Sequence, residues 1–360
     1  MMKPLRVTGG TDFELLGEID EYTSLRWTRR WQKPGEAELT LNYNMPYADL
    51  LVRGNILEYG DLTAIIDNIE LKQDAGGRGK ETLTVRARST ACIIGRRITK
   101  PPVGEANDTA SGAAETVMKA FVSHSFEGVA GFAVAPDRQR GVQTAWETRY
   151  DPLDALLEQI SIVTGLGWDV RMDAEAGLFV FEVLEGVSRV EGSGSPVIFS
   201  PDYDNLKVVG YAESDRDYRN VAFVGGQGEG AERTIVTVAA GDPAGLEWRE
   251  IFVDARDISA VGDLTRRGQQ ALAQYPLRRT MSAEILTKST TEYRKDWDLG
   301  DVVVVQNTGW GVSMDAQIIE VVEAVDRNGR QLSAVFGTGE LTLAQAIRRE
   351  TSKANKVVQK

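Results

Sequence analysis

One cysteine and one histidine in 360 residues remove most nucleophilic and metal chemistry at the outset. Cys92 alone can form no internal disulfide and no thiolate zinc cluster. Within the run ACIIG it reads as a small buried hydrophobe. His124 stands between Ser123 and Ser125, with no G-x-S-x-G elbow anywhere in the chain to serve. It reads as a helix cap or a surface residue, and no metal or cofactor site is expected. Long apolar runs are missing as well: no stretch reaches the roughly 18 residues of a membrane span, and the start MMKPLRVTGG reads as no secretory signal. Positive charge is scarce. A net charge of −12 and a pI near 4.9 are the opposite of what gripping duplex DNA requires, since that affinity comes from neutralising phosphates. Sequence-specific nucleic-acid binding is therefore not expected; a surface past which DNA slides fits this sign better.

What the chain does have is many short β-branched and aromatic runs separated by turn chemistry. Residues 4–95 predict strands at 5–8, 13–19, 24–30, 36–42, 55–59, 63–71 and 82–87, divided by Gly9-Gly10-Thr11-Asp12 and Gly76-Gly77-Arg78-Gly79. Leu25, Trp27 and Arg29 alternate with Arg26, Thr28 and Arg30, as half-buried antiparallel strands do. This is a first β module, 1–100, of barrel or sandwich type. A mixed α+β segment, 101–195, follows: a helix at 113–123, a second one capped by Asp151 with Pro152 at its first position and closed by Gly165, then a hairpin around 173–177. A second β module, 196–340, holds a helical interlude at about 258–277, with Asp263 as its expected cap. It ends in a meander, 297–336, in which Gly300 takes a positive φ and Asn328-Gly329 predicts a type I′ hairpin. The tail, 341–360, spaces Leu343, Ala346 and Ile347 for an amphipathic helix and carries Arg348, Arg349, Lys353, Lys356 and Lys360 against Glu350.

Motifs of chemistry fail on inspection. The run from Gly225 to Gly230 lacks the lysine and the Ser/Thr of a phosphate loop and predicts a hairpin loop. The run from Asp202 has Lys207 where a calcium loop needs glycine. Paired acids for glycoside hydrolysis have no aromatic cleft signature beyond Trp146, Glu147 and Asp151. The seven tryptophans are the least ordinary feature, because tryptophan beside arginine marks interface centres. Trp168 and Trp310 read as core. Trp27, Arg29, Arg30, Trp31 and Trp297, with Arg348 and Arg349 of the tail, are the candidate interface residues.

Several strings together carry a resemblance: LRWTRRWQKPGEAEL, GRRITKPP, SGAAETVMKAFV, APDRQRG, SPVIFSPDYDNL, YRNVAFVGGQGEG and KDWDLGDVVVVQNTGWGVSMDAQIIEV. In collinear order over about residues 3–350, the chain resembles the siphovirus ReqiPepy-like tail proteins, a family similar to phage baseplate hub proteins and the N-terminal part of tail-associated lysins. The resemblance implies a predominantly β, α+β chain with two tube-type β-barrel modules and mixed α+β insertions. It implies a non-enzymatic structural protein at the virion tail tip, assembled in the bacterial host cytoplasm. Such a hub is a homotrimer that joins the hexameric distal tail protein ring to the tape-measure protein and to tail fibre or receptor-binding proteins, and gates DNA passage. The alternatives are a carbohydrate- or receptor-binding module with Trp31 and Trp146 as platforms, and a cell-wall hydrolase.

Overall fold

The structure, a computed structural model, describes residues 3–73, 81–256, 258–286, 291–337 and 340–341. In chain order the first strands are β1 Leu5–Thr8, β2 Leu15–Ile19, β3 Ser24–Arg30, β4 Glu36–Asn42, β5 Ile56–Tyr59, β6 Leu62–Gln73 and β7 Glu81–Ser89. The middle segment adds β8 Asp108–Ala113, α1 Ala114–Ser125, β9 Phe132–Val134, β10 Gln143–Thr148, α2 Leu153–Thr164, β11 Gly167–Asp173 and β12 Leu178–Leu184. Then come β13 Ser188–Arg189, β14 Ile198–Phe199, β15 Leu206–Ser214, β16 Val221–Gly225, β17 Ile235–Ala239, β18 Glu250–Asp254, α3 Val261–Ala273 and β19 Arg278–Ile285. The meander is β20 Val302–Asn307, β21 Val312–Asp326 and β22 Gly329–Phe336, and β23 Glu340–Leu341 pairs with β21. The fold is predominantly β.

Two compact units divide the chain. One gathers the residues up to Val209 with Ser282–Phe336; the other is Gly210–Met281. The expected boundaries at 100 and 196 do not coincide with this grouping, because strand pairing overrides sequence order. In the larger unit one antiparallel sheet runs β2-β1-β5-β6-β7-β4-β3-β21-β22. The meander therefore does not stand apart from the first module: Val321, Glu323 and Val325 of β21 pair with Arg29, Trp27 and Leu25 of β3. β21 is long enough to serve two neighbours. Its first half pairs with β20, and after a bulge near Ile319 its second half pairs with β22 and β3. No ring of strands closes among the described residues, so the barrels expected from the resemblance are not seen as closed here.

The period-2 pattern decides which side chains meet. Leu25 and Trp27 of β3, Leu39 and Leu41 of β4, Leu83 and Val85 of β7 and Leu5 and Val7 of β1 point into one core, and each such large side chain contributes about 1.5–3 kcal/mol by burial. The middle segment has its own core, where Met118 and Phe121 of α1, Leu157 and Ile160 of α2, and Trp168 and Phe181 meet Ala91–Ile94. Cys92 is buried there, as its apolar neighbours predict.

Three local expectations change. Pro152, not Asp151, is the residue before α2, and the Asp151 carboxylate is taken by the Thr148 hydroxyl at 2.8 Å and the Arg149 amide. The hairpin after β21 forms, but of the Asn328-Gly329 pair only Gly329 takes a positive φ; Asp326 Oδ1 accepts from the Asn328 amide and stabilises an Asx turn instead of type I′. The interlude helix is capped by Ala260, and Asp263 sits inside its first turn with Arg266. Gly165 and Gly300 take the positive φ expected of them, 77° and 92°.

The smaller unit is a three-stranded sheet, β17-β16-β18, under α3. Its core is small: Ala222, Val224, Val238, Ala255, Leu264 and Leu272. The glycine-rich run after β16 is the loop to β17, not a phosphate cradle.

Candidate assembly surface

Four of the candidate interface residues are spent inside the chain. Trp27 is buried and stacks on Tyr59, with centroids 6.1 Å apart. Trp297 is buried with its ring edge-on to Phe199 at 5.2 Å and 4.8 Å from Tyr293. Trp31 is buried, donates its indole N–H to Gly165 O at 2.9 Å, and packs on Gly167 and Gly300. Arg29 donates to Tyr293 Oη and Asp298 Oδ1, each at 2.6 Å. Trp27 stands on an inward strand position, Trp31 beside glycines that leave room for it, and Trp297 between Phe199 and Tyr293, so the three rings join segments of this chain to one another. Trp146 is buried too, which removes both of the expected glycan platforms. Trp310, expected in the core, is instead 54% exposed. Arg348 and Arg349 lie outside the described residues.

The stitching converges on the turn Asp298–Asp301. The Asp301 carboxylate is buried and accepts from the amides of Val187 (2.9 Å) and Asp298 (3.0 Å) and from Arg189 Nε (2.6 Å). Gln317 Nε2 bridges Gly165 O and Gly300 O at 3.0 Å each. A single turn thus joins the first β module, the middle segment and the meander.

The outward face of the long sheet offers a surface of a different kind. Arg30, with Thr28 and Arg26 on β3, stands against Glu36 and Glu38 on β4; these face Arg88 and Arg86 on β7, and Asp67 and Glu70 on β6 follow. The charges interlock: Arg30 to Glu36 (2.8 Å) and Glu320 (2.9 Å), Arg86 to Glu38 (2.8 Å) and Glu70 (3.6 Å), Arg88 to Asp67 (2.6 Å). A shallow concavity of about 540 Å³ lies among these side chains. Exposed pairs of this kind add about 0–1 kcal/mol each, so stability is not their principal effect. They make a hydrated wall of balanced charge, in which every arginine tied to a carboxylate is less available to a phosphate. The overall acidity of the chain is not carried by this face. Cross-strand register, which the sequence does not display, creates the ladder.

A buried charge cluster centres on Glu115 of α1, which accepts from Lys119 Nζ (2.5 Å) and Arg140 Nε (2.8 Å). Burial alone would raise this carboxyl, but the hydrogen bonds from Arg140 and Lys119 prevail and hold it down at about 2. Its position within the helix core makes it a clamp on the loop at 136–141 rather than an acid. His124 is half-exposed at the end of α1, with Nδ1 2.9 Å from the buried Asp108. Among the described residues no group of three or more His, Cys, Asp or Glu is placed to hold a metal ion, and no helix is long and apolar enough to cross a membrane.

Comparison with known proteins finds one family and several tail proteins of similar fold. Residues 4–338 match the family described as Siphovirus ReqiPepy6 Gp37-like protein. No curated protein matches the chain. Among solved structures, the tail protein of Neisseria meningitidis MC58 superposes with a TM-score of 0.58 at 12% identity, covering 94% of this chain and 97% of that one. The 43 kDa tail protein of prophage MuSo2 from Shewanella oneidensis gives 0.56 at 15% identity, covering 92% and 98%. Prophage tail protein gp18 from Listeria monocytogenes EGD-e gives 0.54 at 12% identity, covering 98% and 99%. At these identities the likeness is one of fold.

Proposed function

From the premise that the chain belongs to the Siphovirus ReqiPepy6 Gp37-like family, we propose that it is a structural tail-tip hub of a phage or phage-tail-like particle. The observation that carries this reading is the pairing of β21 with β3, which fuses the N-terminal β module and the C-terminal meander into one wall with a charge-balanced outer face. Two tube-type modules in each of three copies would offer six similar edges to a hexameric distal tail ring, which is how a trimer meets sixfold symmetry. The tape-measure protein and a fibre or receptor-binding protein would be held below that ring. In this reading the ladder of Arg26, Arg30, Arg86 and Arg88 against Glu36, Glu38, Asp67 and Glu320 lines the passage. DNA moves past it with few free cations to hold its phosphates. The position is the virion tail tip, and the role needs no catalysis.

Light scattering on the purified chain tests the assembly: a trimer, or rings formed with a distal tail protein, is the expected result. A monomer that joins no such ring at any concentration rejects it. Localising the chain in electron micrographs of particles tests the position. Absence of peptidoglycan clearing in zymograms is expected, and clearing would restore the hydrolase reading.

A further inference from the structure

The run from Asp202 that fails as a calcium loop meets, at one end of β20, the turn that carries the tryptophan expected in the core. β14 and β20 pair in parallel, Ile198 beside Val304 and Phe199 beside Val305. Parallel neighbours leave their sheet at the same end, which brings the turn Pro201–Tyr203 after β14 to the turn Thr308–Trp310 after β20. Thr308 Oγ1 donates to Asp202 Oδ2 at 2.7 Å and ties the two turns together. Each turn is locked. The buried Ser200 accepts on its hydroxyl from the Asp202 amide at 3.2 Å and donates its own amide to Asn205 Oδ1 at 2.9 Å, while Asn205 Nδ2 donates to Ile198 O at 2.7 Å. Asn307 Oδ1 accepts from the Trp310 amide at 3.1 Å, and Gly311 closes that turn at a φ of 63°. On these supports stand Tyr203, 53% exposed, and Trp310, 54% exposed. Rings with two χ angles on a fixed backbone lose little conformational freedom when a ligand covers them.

The side chains around the rings accept hydrogen bonds and carry no positive charge. Asp202 and Asp204 are exposed carboxylates, and the segments 200–205 and 307–311 contain no Lys or Arg. A phosphate-bearing or otherwise anionic ligand meets repulsion there. A ligand of this site brings donors for the carboxylates and an apolar face for the rings. Area separates the classes that could do so. Two half-exposed aromatic side chains offer about 200 Å², well short of the roughly 800 Å² that each partner of a stable protein complex covers. A saccharide of a few residues fits this scale: the C–H face of a pyranose lies on an aromatic ring, and its hydroxyls donate to carboxylate oxygens. We propose that Tyr203 and Trp310, with Asp202 and Asp204, form a binding platform for an uncharged oligosaccharide. Thr308 is a positioning residue, because its bond to Asp202 fixes one ring-bearing turn against the other.

The test is saturation-transfer NMR on the full-length chain. Maltohexaose, cellohexaose and chitohexaose are the uncharged probes, a sulfated dextran the anionic one and tetramethylammonium the cationic one. At least one uncharged probe is expected to bind with a Kd of about 0.1–1 mM, as a small ligand with two ring contacts should. Trp310→Ala and Tyr203→Ala should each weaken it about tenfold, the worth of one ring contact, and Trp310→Tyr should keep part of the affinity. Thr308→Val leaves both rings but unties the turns, and should weaken binding less than either alanine variant. Hydrogen exchange in 302–307 checks that each variant keeps β20 folded, and light scattering should give the variants the oligomeric state of the parent. Failure of all three uncharged probes to bind at up to about 10 mM overturns the proposal. So does binding indifferent to both alanine variants, or a preference for the sulfated dextran or for tetramethylammonium. A change of oligomeric state in Trp310→Ala overturns it as well, because the rings would then lie between protein copies.

Discussion

The Trp31 indole lies flat against the backbone of Gly300, so close that a methyl group on that glycine would sit 2.2 Å from the ring. Gly300 also holds φ at 92°, and its amide donates to Ile318 O at 2.8 Å. Two independent demands, left-handed backbone and absent side chain, fall on one residue at the joint of three segments. Gly300→Ala should therefore lower unfolding free energy by about 2–5 kcal/mol, the sum of a left-handed non-glycine residue and an overpacked contact. Urea titration followed by tryptophan fluorescence measures it. A loss below about 1 kcal/mol would mean that Trp31 can move aside.

Asp301 gives a second measure of the same joint. Its two oxygens take three donors from Val187, Arg189 and Asp298. Asp301→Ala leaves these donors buried and should cost about 3–5 kcal/mol. Asp301→Asn keeps the shape but loses the charge opposite Arg189, and should cost less than the alanine variant in the same titration.

Glu115 predicts an acid limb of stability. Its carboxyl, ordinarily near 4.5, is held at about 2 in the folded chain despite its burial, by Arg140 and Lys119. A depressed carboxylate contributes stability above its unfolded pKa and loses it as pH falls toward the folded one. Between pH 4.5 and 2 this group should add a slope approaching about 1.4 kcal/mol per pH unit. Glu115→Gln should remove that part of the slope and also weaken the chain at pH 7, where Lys119 and Arg140 lose their partner. Stability curves of the two proteins with the same acid slope would refute the assignment.

The smaller unit should fail on its own. Gly268 lets α3 approach Val224 and Val238, whose methyl groups would lie 2.9 and 2.6 Å from an added Cβ. Gly268→Val should destabilise the unit by about 1–3 kcal/mol through overpacking. Hydrogen exchange should rise in 221–225 and 235–239 and stay unchanged in 25–41. A uniform rise over both units would show that they unfold together.

The two-residue period along β3 was enough to say that Leu25 and Trp27 face inward, because side-chain direction in a strand is a local property, and β-branched runs between turn residues placed β4, β7 and β21. Turn glycines at 165 and 300 were equally legible, since only glycine takes that backbone without penalty. A single cysteine, a single histidine and the lack of signature loops argued against most nucleophilic and metal chemistry from the sequence alone. Tertiary structure decided what those residues meet. Tryptophan beside arginine has one appearance in sequence whether it faces a partner or its own chain; the pairing of β21 with β3 turned Trp27 inward, the glycines at 167 and 300 made room for Trp31, and Phe199 and Tyr293 enclose Trp297. The charge ladder likewise arises from strand register, a relation between residues far apart in the chain that no local pattern encodes.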